Sequence, residues 1–234
     1  PIDTGATAVY HYKPALEKKY RFMSRFGDEV LLHRVDATRG LIHLPRALCP
    51  LSANDNRAGG EVVHFPKAPS PRDHQIELFD ETARFLKAGE SGIVSAYTGW
   101  GKTVLGYHAA YVVQRKTLVV TTKDDIYRQW LDGARTFLGL EPHEIGEIRG
   151  DKCEVIGTKF VVAMIHSLSK EEKYPDWVFA DFGLVIFDEC HRVPAEQFSN
   201  IVYMLPARLR LGLSATPERS DGKEMLVFAH VGPI

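Results

Sequence analysis

The chain has 234 residues, is 44% hydrophobic and 25% charged, and carries a formal net charge of −1. That supplies apolar material for one large or two modest cores and excludes a disordered or repeat chain. No apolar run approaches the length of a membrane span, no signal-peptide core opens the chain, and Cys49, Cys153 and Cys190 form no metal or disulfide pattern, so a reducing intracellular setting, cytoplasmic or nuclear, is expected with no membrane partner.

The charge is unevenly placed. Residues 1–70 carry 10 Lys/Arg against 7 Asp/Glu, which leaves the remainder net acidic. Residues 10–26 hold Lys13, Lys18, Lys19, Arg21 and Arg25 interleaved with Tyr10, Tyr12, Tyr20, Phe22 and Phe26. Basic residues with aromatic faces suit phosphates and unpaired bases, making Lys18, Lys19 and Arg21 candidate nucleic-acid contacts. An amphipathic helix with Leu16, Tyr20 and Met23 facing a core explains the same stretch, and is preferred. Val30-Leu31-Leu32 and Leu41-Ile42-His43-Leu44, separated by Asp36-Ala37-Thr38-Arg39-Gly40, suggest a hairpin. Residues 52–70 are polar and rich in Gly and Pro, which reads as a linker. The expected organisation is a small α/β module over 1–51, a linker over 52–70, and an α/β lobe over 71–234.

In that lobe the strand candidates are 93–96, 117–121, 145–148, 160–164, 183–187 and 210–214. Helical periodicity is expected over 104–113, 124–138 and 194–204. Strands alternating with helices of this length imply a parallel sheet covered on both faces.

Two motifs carry chemistry. Residues 96–103 read Ala-Tyr-Thr-Gly-Trp-Gly-Lys-Thr between a strand and a helix. Gly99 and Gly101 let backbone N–H groups approach phosphate oxygens, and the helix N-terminus adds partial positive charge. Thr98, Gly99, Trp100 and Gly101 would line such a cradle, Lys102 would reach the terminal phosphates, and the Thr103 hydroxyl would ligand Mg²⁺. The phosphate-loop pattern has Gly where this chain has Ala96. The second motif is the apolar run 182–187 followed by Asp188-Glu189, 86 residues after Lys102. At the carboxyl end of a parallel strand, Asp188 is placed to hold Mg²⁺ through a water and Glu189 to orient and deprotonate the attacking water. Together they point to binding and hydrolysis of ATP with Mg²⁺.

On these residues the chain resembles the superfamily 2 helicases and translocases, and residues 211–219 with the ending Val231-Gly232-Pro233-Ile234 resemble within them the xeroderma-pigmentosum-B-type and phage helicases. Ala-x-Thr-Gly-x-Gly-Lys-Thr, Asp188-Glu189-Cys190-His191 and Ser214-Ala215-Thr216 are similar to that superfamily's motifs I, II and III. Arg72-Asp73-His74-Gln75 resembles the element whose Gln reads adenine, so Arg72 and Gln75 are implied nucleotide contacts. Residues 117–122 with Gln129-Trp130 resemble motif Ia, and 160–168 resemble the segment that touches the nucleic-acid backbone. Thr122, Lys123, Gly150, His166 and Ser167 are therefore candidate nucleic-acid contacts. His191, Ser214 and Thr216 are implied to couple hydrolysis to strand movement, although a Ser or Thr at a strand end is also an ordinary helix cap.

The resemblance covers roughly 70–234 and implies a RecA-like lobe. Such motors use a second RecA-like lobe bearing arginine fingers. No such half follows residue 234, so a fragment of a longer motor is expected, poorly active alone. The implied partner is DNA (single-stranded, duplex or branched), with RNA left open. The motor of a restriction-type nuclease is the alternative to a helicase or translocase. A P-loop enzyme acting on a small molecule would not need Gln75 or Ser214-Ala215-Thr216.

Overall fold

Two polar turns organise the N-terminal module in the computed structural model, which describes residues 7–24, 26–48, 56–170, 173–189, 195–215 and 222–234. Its elements are β1 (Ala8–His11), α1 (Pro14–Lys19), β2 (Arg21–Met23), β3 (Glu29–Leu31), β4 (Arg34–Asp36) and β5 (Leu41–Leu44). β5 lies between β1 and β4 in an antiparallel sheet, and β2 pairs with β3 as a separate hairpin. The turn expected at 36–40 is present, closed by the Asp36 carboxylate, which accepts from the Thr38 and Arg39 backbone N–H groups at 3.1 Å. The strand entering it is 34–36 rather than 30–32. A second turn accounts for the difference: Ser24 Oγ accepts from the backbone N–H of Phe26 at 3.2 Å and Asp28 at 3.0 Å, folding 29–31 back onto 21–23. The helix expected over 10–26 is confined to Pro14–Lys19. Tyr20 is buried and Leu16 packs beside the core as that helix required, but Met23 lies on β2 and is 68% exposed.

The segment read as a linker is bound along its described length. Ala58 N–H donates to Pro206 O at 2.8 Å, and Arg208 N–H donates to Ala58 O at 2.8 Å. Further along, Glu61 N–H donates to Asp181 O, Lys116 N–H to Glu61 O, Val63 N–H to Gln114 O and Lys67 N–H to Leu138 O. Phe65 is fully buried and Val63 nearly so. An irregular backbone still needs hydrogen-bond partners, and these residues find them at the ends of neighbouring elements. We call residues 56–70 the strap.

The lobe follows with α2 (Ile76–Lys87), β6 (Gly92–Ser95), α3 (Lys102–Val113), β7 (Thr117–Thr121), α4 (Asp124–Leu138), β8 (Ile145–Arg149) and β9 (Lys152–Cys153). It continues through β10 (Phe160–Met164), α5 (Ile165–Leu168), α6 (Trp177–Ala180), β11 (Leu184–Asp188), α7 (Ala195–Met204), β12 (Leu209–Ser214) and α8 (Glu224–His230). The seven-stranded sheet runs β6-β12-β11-β7-β10-β8-β9, parallel except for β9. Every residue of β7, β10 and β11 is buried, as continuous apolar runs require when both sheet faces are covered. Leu118 and Val120 join the apolar cluster on one face, and Val119 joins the other. The first cluster also takes in Tyr20, Val30, Leu32, Ile42 and Leu44 of the N-terminal module. Module and lobe therefore share a core instead of standing apart on a flexible tether.

The strap crosses β11 where two glycines meet. A Cβ on Gly60 would lie 2.1 Å from Gly183 N, and one on Gly183 would lie 2.4 Å from Gly59 O. Gly60 also has φ 74°. Gly60→Ala and Gly183→Ala should each lower the unfolding free energy by about 1–3 kcal/mol. Gly59→Ala, with nothing within 4 Å of its Cβ position, should be close to neutral. Urea unfolding of the three variants checks this; equal stability of all three would mean that the strap does not press on β11.

Candidate active site

Strand order brings the two chemical motifs together. β12 lies between β6 and β11, with Ser214 in register with Ser95 and Leu213 with Asp188. The loop after β6 and the carboxylates ending β11 thus flank the end of β12, at the carboxyl edge where parallel sheets hold ligands. Ser214 is fully buried there, and its carbonyl accepts from Ala96 N–H at 3.0 Å. Ala96 is absorbed without strain: its backbone has no positive φ, and its side chain packs against the apolar cluster.

The loop turns through Gly99 at φ 86° and Gly101 at φ 106°, immediately before α3. A Cβ on Gly101 would come within 2.4 Å of Gln75 Nε2, so glycine there serves close approach as well as backbone shape. Gln75 is 4% exposed, accepts from Arg72 N–H at 2.8 Å and donates to the Trp100 carbonyl. Trp100 turns its ring away from the loop, with centroids 6.2 Å from both Phe79 and His74. The loop is anchored to α2 on one side by an amide and on the other by an indole. Thr98 and the Arg72 side chain are exposed, and Thr103 is half-buried in the first turn of α3.

Lys102 is 8% exposed; its Nζ donates to Ala96 O at 2.9 Å and Tyr97 O at 3.2 Å and lies 4.0 Å from Glu189 Oε1. Glu189 has φ 53°, a strained left-handed conformation for a residue with a Cβ. Asp188 is 5% exposed. Burial raises its pKa from 3.8 to about 6, against the lowering effect of the Trp130 hydrogen bond, with Glu189 raising it further and Lys102 lowering it. From the sequence, Trp130 was legible as an apolar position of α4 and, with Gln129, as part of the resemblance to motif Ia, and neither signal names its polar partner. A buried indole N–H still needs an acceptor, and that acceptor is Asp188, at 2.7 Å.

The candidate nucleic-acid contacts of the lobe fall on the other side of β11. Thr122 and Lys123 follow β7, His166 and Ser167 follow β10, and Gly150 follows β8, at the ends of three adjacent strands. Lys123 and His166 are exposed. Ser167 is buried, and its Oγ accepts from Gly150 N–H at 2.8 Å, joining two loops of that strip. Lys18 and Lys19 are exposed on α1, whereas Arg21 pairs with Glu17 and, at 3.1 Å, with Glu29. Cys49, Cys190, His191 and Thr216 lie outside the described residues. Among the described residues no helix is long and apolar enough to cross a membrane.

The Asp188 shift fixes a sign. Its folded pKa lies above the unfolded value, so its ionisation costs stability fully above about pH 6 and not at all well below pH 4. Without divalent cation, Asp188→Asn should therefore stabilise the chain by about 3 kcal/mol at pH 7.5, and the gain should vanish towards pH 4. Denaturation curves across that pH range test it; parallel curves for the two proteins would show that the carboxylate sits without penalty.

The family described as "Type III restriction enzyme, res subunit" matches residues 68–219. The chain is 35% identical over 165 residues to the "DNA 3'-5' helicase XPB" of Kineococcus radiotolerans, covering 69% of this chain and 29% of that protein. It is 34% identical over 163 residues to the "DNA 3'-5' translocase XPB2" of Sulfurisphaera tokodaii, covering 68% and 35%. The chain thus spans about a third of the length of the curated relatives it matches. Among solved structures, the UvsW helicase from bacteriophage T4 is similar in fold, with a TM-score of 0.68, 18% identity, and coverage of 94% of this chain and 91% of that one. With a sheet of the RecA-like kind and a match across most of its lobe, this chain belongs to the Type III restriction enzyme res subunit family of superfamily 2 helicase and translocase lobes.

Proposed function

We propose that this chain is the ATP-binding lobe of an ATP-dependent DNA helicase or translocase. The convergence of Lys102, Asp188 and Glu189 beside Ser214 carries the proposal. The residues suit Mg²⁺ and ATP. Gly99 and Gly101 take backbone conformations that leave no Cβ over the loop, and a hydroxyl and a carboxylate are hard oxygen donors. Thr103 and Asp188 would hold the metal. When bound, Mg²⁺-ATP supplies the phosphoanhydride whose cleavage drives movement.

The chain's own groups divide the remaining work. The Lys102 side chain lies inside the loop, where it would meet the phosphate tail. Glu189 takes the proton of the attacking water. Gln75, already bonded to the Trp100 carbonyl, links recognition of the base, with Arg72 alongside, to the shape of the phosphate loop. Ser214, with His191 and Thr216, connects the hydrolytic edge to the nucleic-acid strip of Thr122, Lys123, Gly150, His166 and Ser167. Lys18, Lys19 and Arg21 would extend that contact from the module. The partners are DNA, single-stranded, duplex or branched, with RNA as a further substrate to test, and a second RecA-like lobe. That lobe would supply the arginine finger that phosphoryl transfer commonly needs. A second function, the motor of a restriction-type nuclease complex, is favoured by the description of the matched family. It uses the same ATP site and differs in coupling hydrolysis to DNA cleavage.

ATPase rates of the complete protein with and without single-stranded, duplex and forked DNA, and with RNA, test the proposal. Lys102→Ala should reduce binding or turnover at least tenfold, about 1.4 kcal/mol or more; a wild-type rate would remove Lys102 from the site. Glu189→Gln should still bind Mg²⁺-ATP while turnover collapses. Lost binding with normal turnover per bound ATP would assign Glu189 a different job.

A further inference from the structure

α4 connects the two halves of the sheet's carboxyl edge. It begins directly after Thr122 and Lys123, in the nucleic-acid strip, and in its middle carries Trp130, which has no exposed surface. The indole Nε1–H donates to Asp188 Oδ2 at 2.7 Å, across from α4 to the end of β11. An indole N–H is a donor only, so the carboxylate oxygen must accept, and in a buried site that bond fixes which way the carboxylate turns.

The indole itself is clamped. Its ring lies 4.7 Å from that of Tyr107 on α3 and 6.2 Å from that of Phe160 on β10. The Tyr107 hydroxyl donates to the Trp130 carbonyl at 2.7 Å. A Cβ on Gly106 would lie 2.4 Å from the indole and 3.3 Å from Leu213 of β12. The helix that starts with Lys102 and the helix that starts after Lys123 therefore close on this side chain. That side chain's polar end is spent on Asp188.

We propose that Trp130 is a positioning residue, holding Asp188 in the orientation from which it ligands Mg²⁺ and passing movements of α4 to that carboxylate when nucleic acid engages the strip. The inference rests on the nucleotide-site proposal above. It adds a route from nucleic acid to metal that runs through α4, separate from Ser214 and its neighbours.

Trp130→Phe in the complete protein keeps an aromatic ring and removes the donor. The free Mg²⁺ needed for half-maximal ATPase at saturating ATP should rise about tenfold, the lower end for loss of a group that orients a metal ligand. Binding of a fluorescent ADP analogue in EDTA should stay within twofold of wild type, and stimulation by single-stranded DNA should fall. Unchanged Mg²⁺ dependence would overturn the proposal, as would a parallel loss of Mg²⁺-free nucleotide binding, which would reduce Trp130 to packing. Should the variant not fold, wild-type protein with ¹⁵N-labelled indoles decides. The slowest-exchanging indole N–H should shift when Mg²⁺ is added to nucleotide-saturated protein, and a signal that stays fixed overturns the proposal. Wild-type protein without Mg²⁺-dependent ATP hydrolysis is a separate result: it would overturn the nucleotide-site proposal, and this one with it.

Discussion

Asp188 ends a strand whose five residues are all buried, and the site is arranged around the cost of keeping a carboxylate there. Desolvation alone would favour the neutral acid, which is a poor metal ligand. Three groups oppose it: the Trp130 indole by a direct hydrogen bond, Lys102 by its charge, and the Glu189 backbone N–H by a further bond. Each comes from a different part of the chain, so the orientation of one side chain depends on α3, α4 and the β11 terminus all being in place. The left-handed backbone of Glu189 belongs to the same arrangement, since it turns the chain sharply directly after Asp188.

The phosphate loop is held by comparable means. Gln75 ties the Trp100 carbonyl to the start of α2, and the Trp100 ring packs beside Phe79 on that helix. A glycine-rich loop gains close approach at the expense of conformational entropy, and these anchors limit the freedom it would otherwise have. The order β6-β12-β11 then sets the distance between loop and carboxylates, because one strand, and no more, separates them. Ser214 lies on that intervening strand, a neighbour of both motifs by register.

The strap is built into the lobe along its described length. It donates to and accepts from the segments that enter β12, β11 and β7, and it caps the carboxyl ends of α3 and α4 through Gln114 and Leu138. Phe65 is buried in the cluster that contains Trp130 and Tyr107, so the strap and the active-site helices share one packed layer. The module's own apolar residues enter the cluster on the opposite face.

By itself, the sequence determined the sheet and pointed to the candidate site. Residues 117–121, 160–164 and 124–138 have the bounds their periodicity implies, because hydrophobic spacing and burial are local consequences of which residues face an interior. Lys102, Asp188 and Glu189 were legible from spacing, since a turn with two glycines and a strand ending in two acids each have few structural solutions. Tertiary structure decided everything that depended on partners distant in the chain. The pairing of 29–31 with 21–23 turned on one Ser24 hydroxyl, and the bound state of 56–70 turned on acceptors at 114, 138, 181 and 206. Trp130 read as an apolar helix position beside motif Ia, and its bond to Asp188 spans 58 residues of chain. Periodicity records which side of an element is buried, but the destination of a buried N–H is set by the neighbour that folding brings to it.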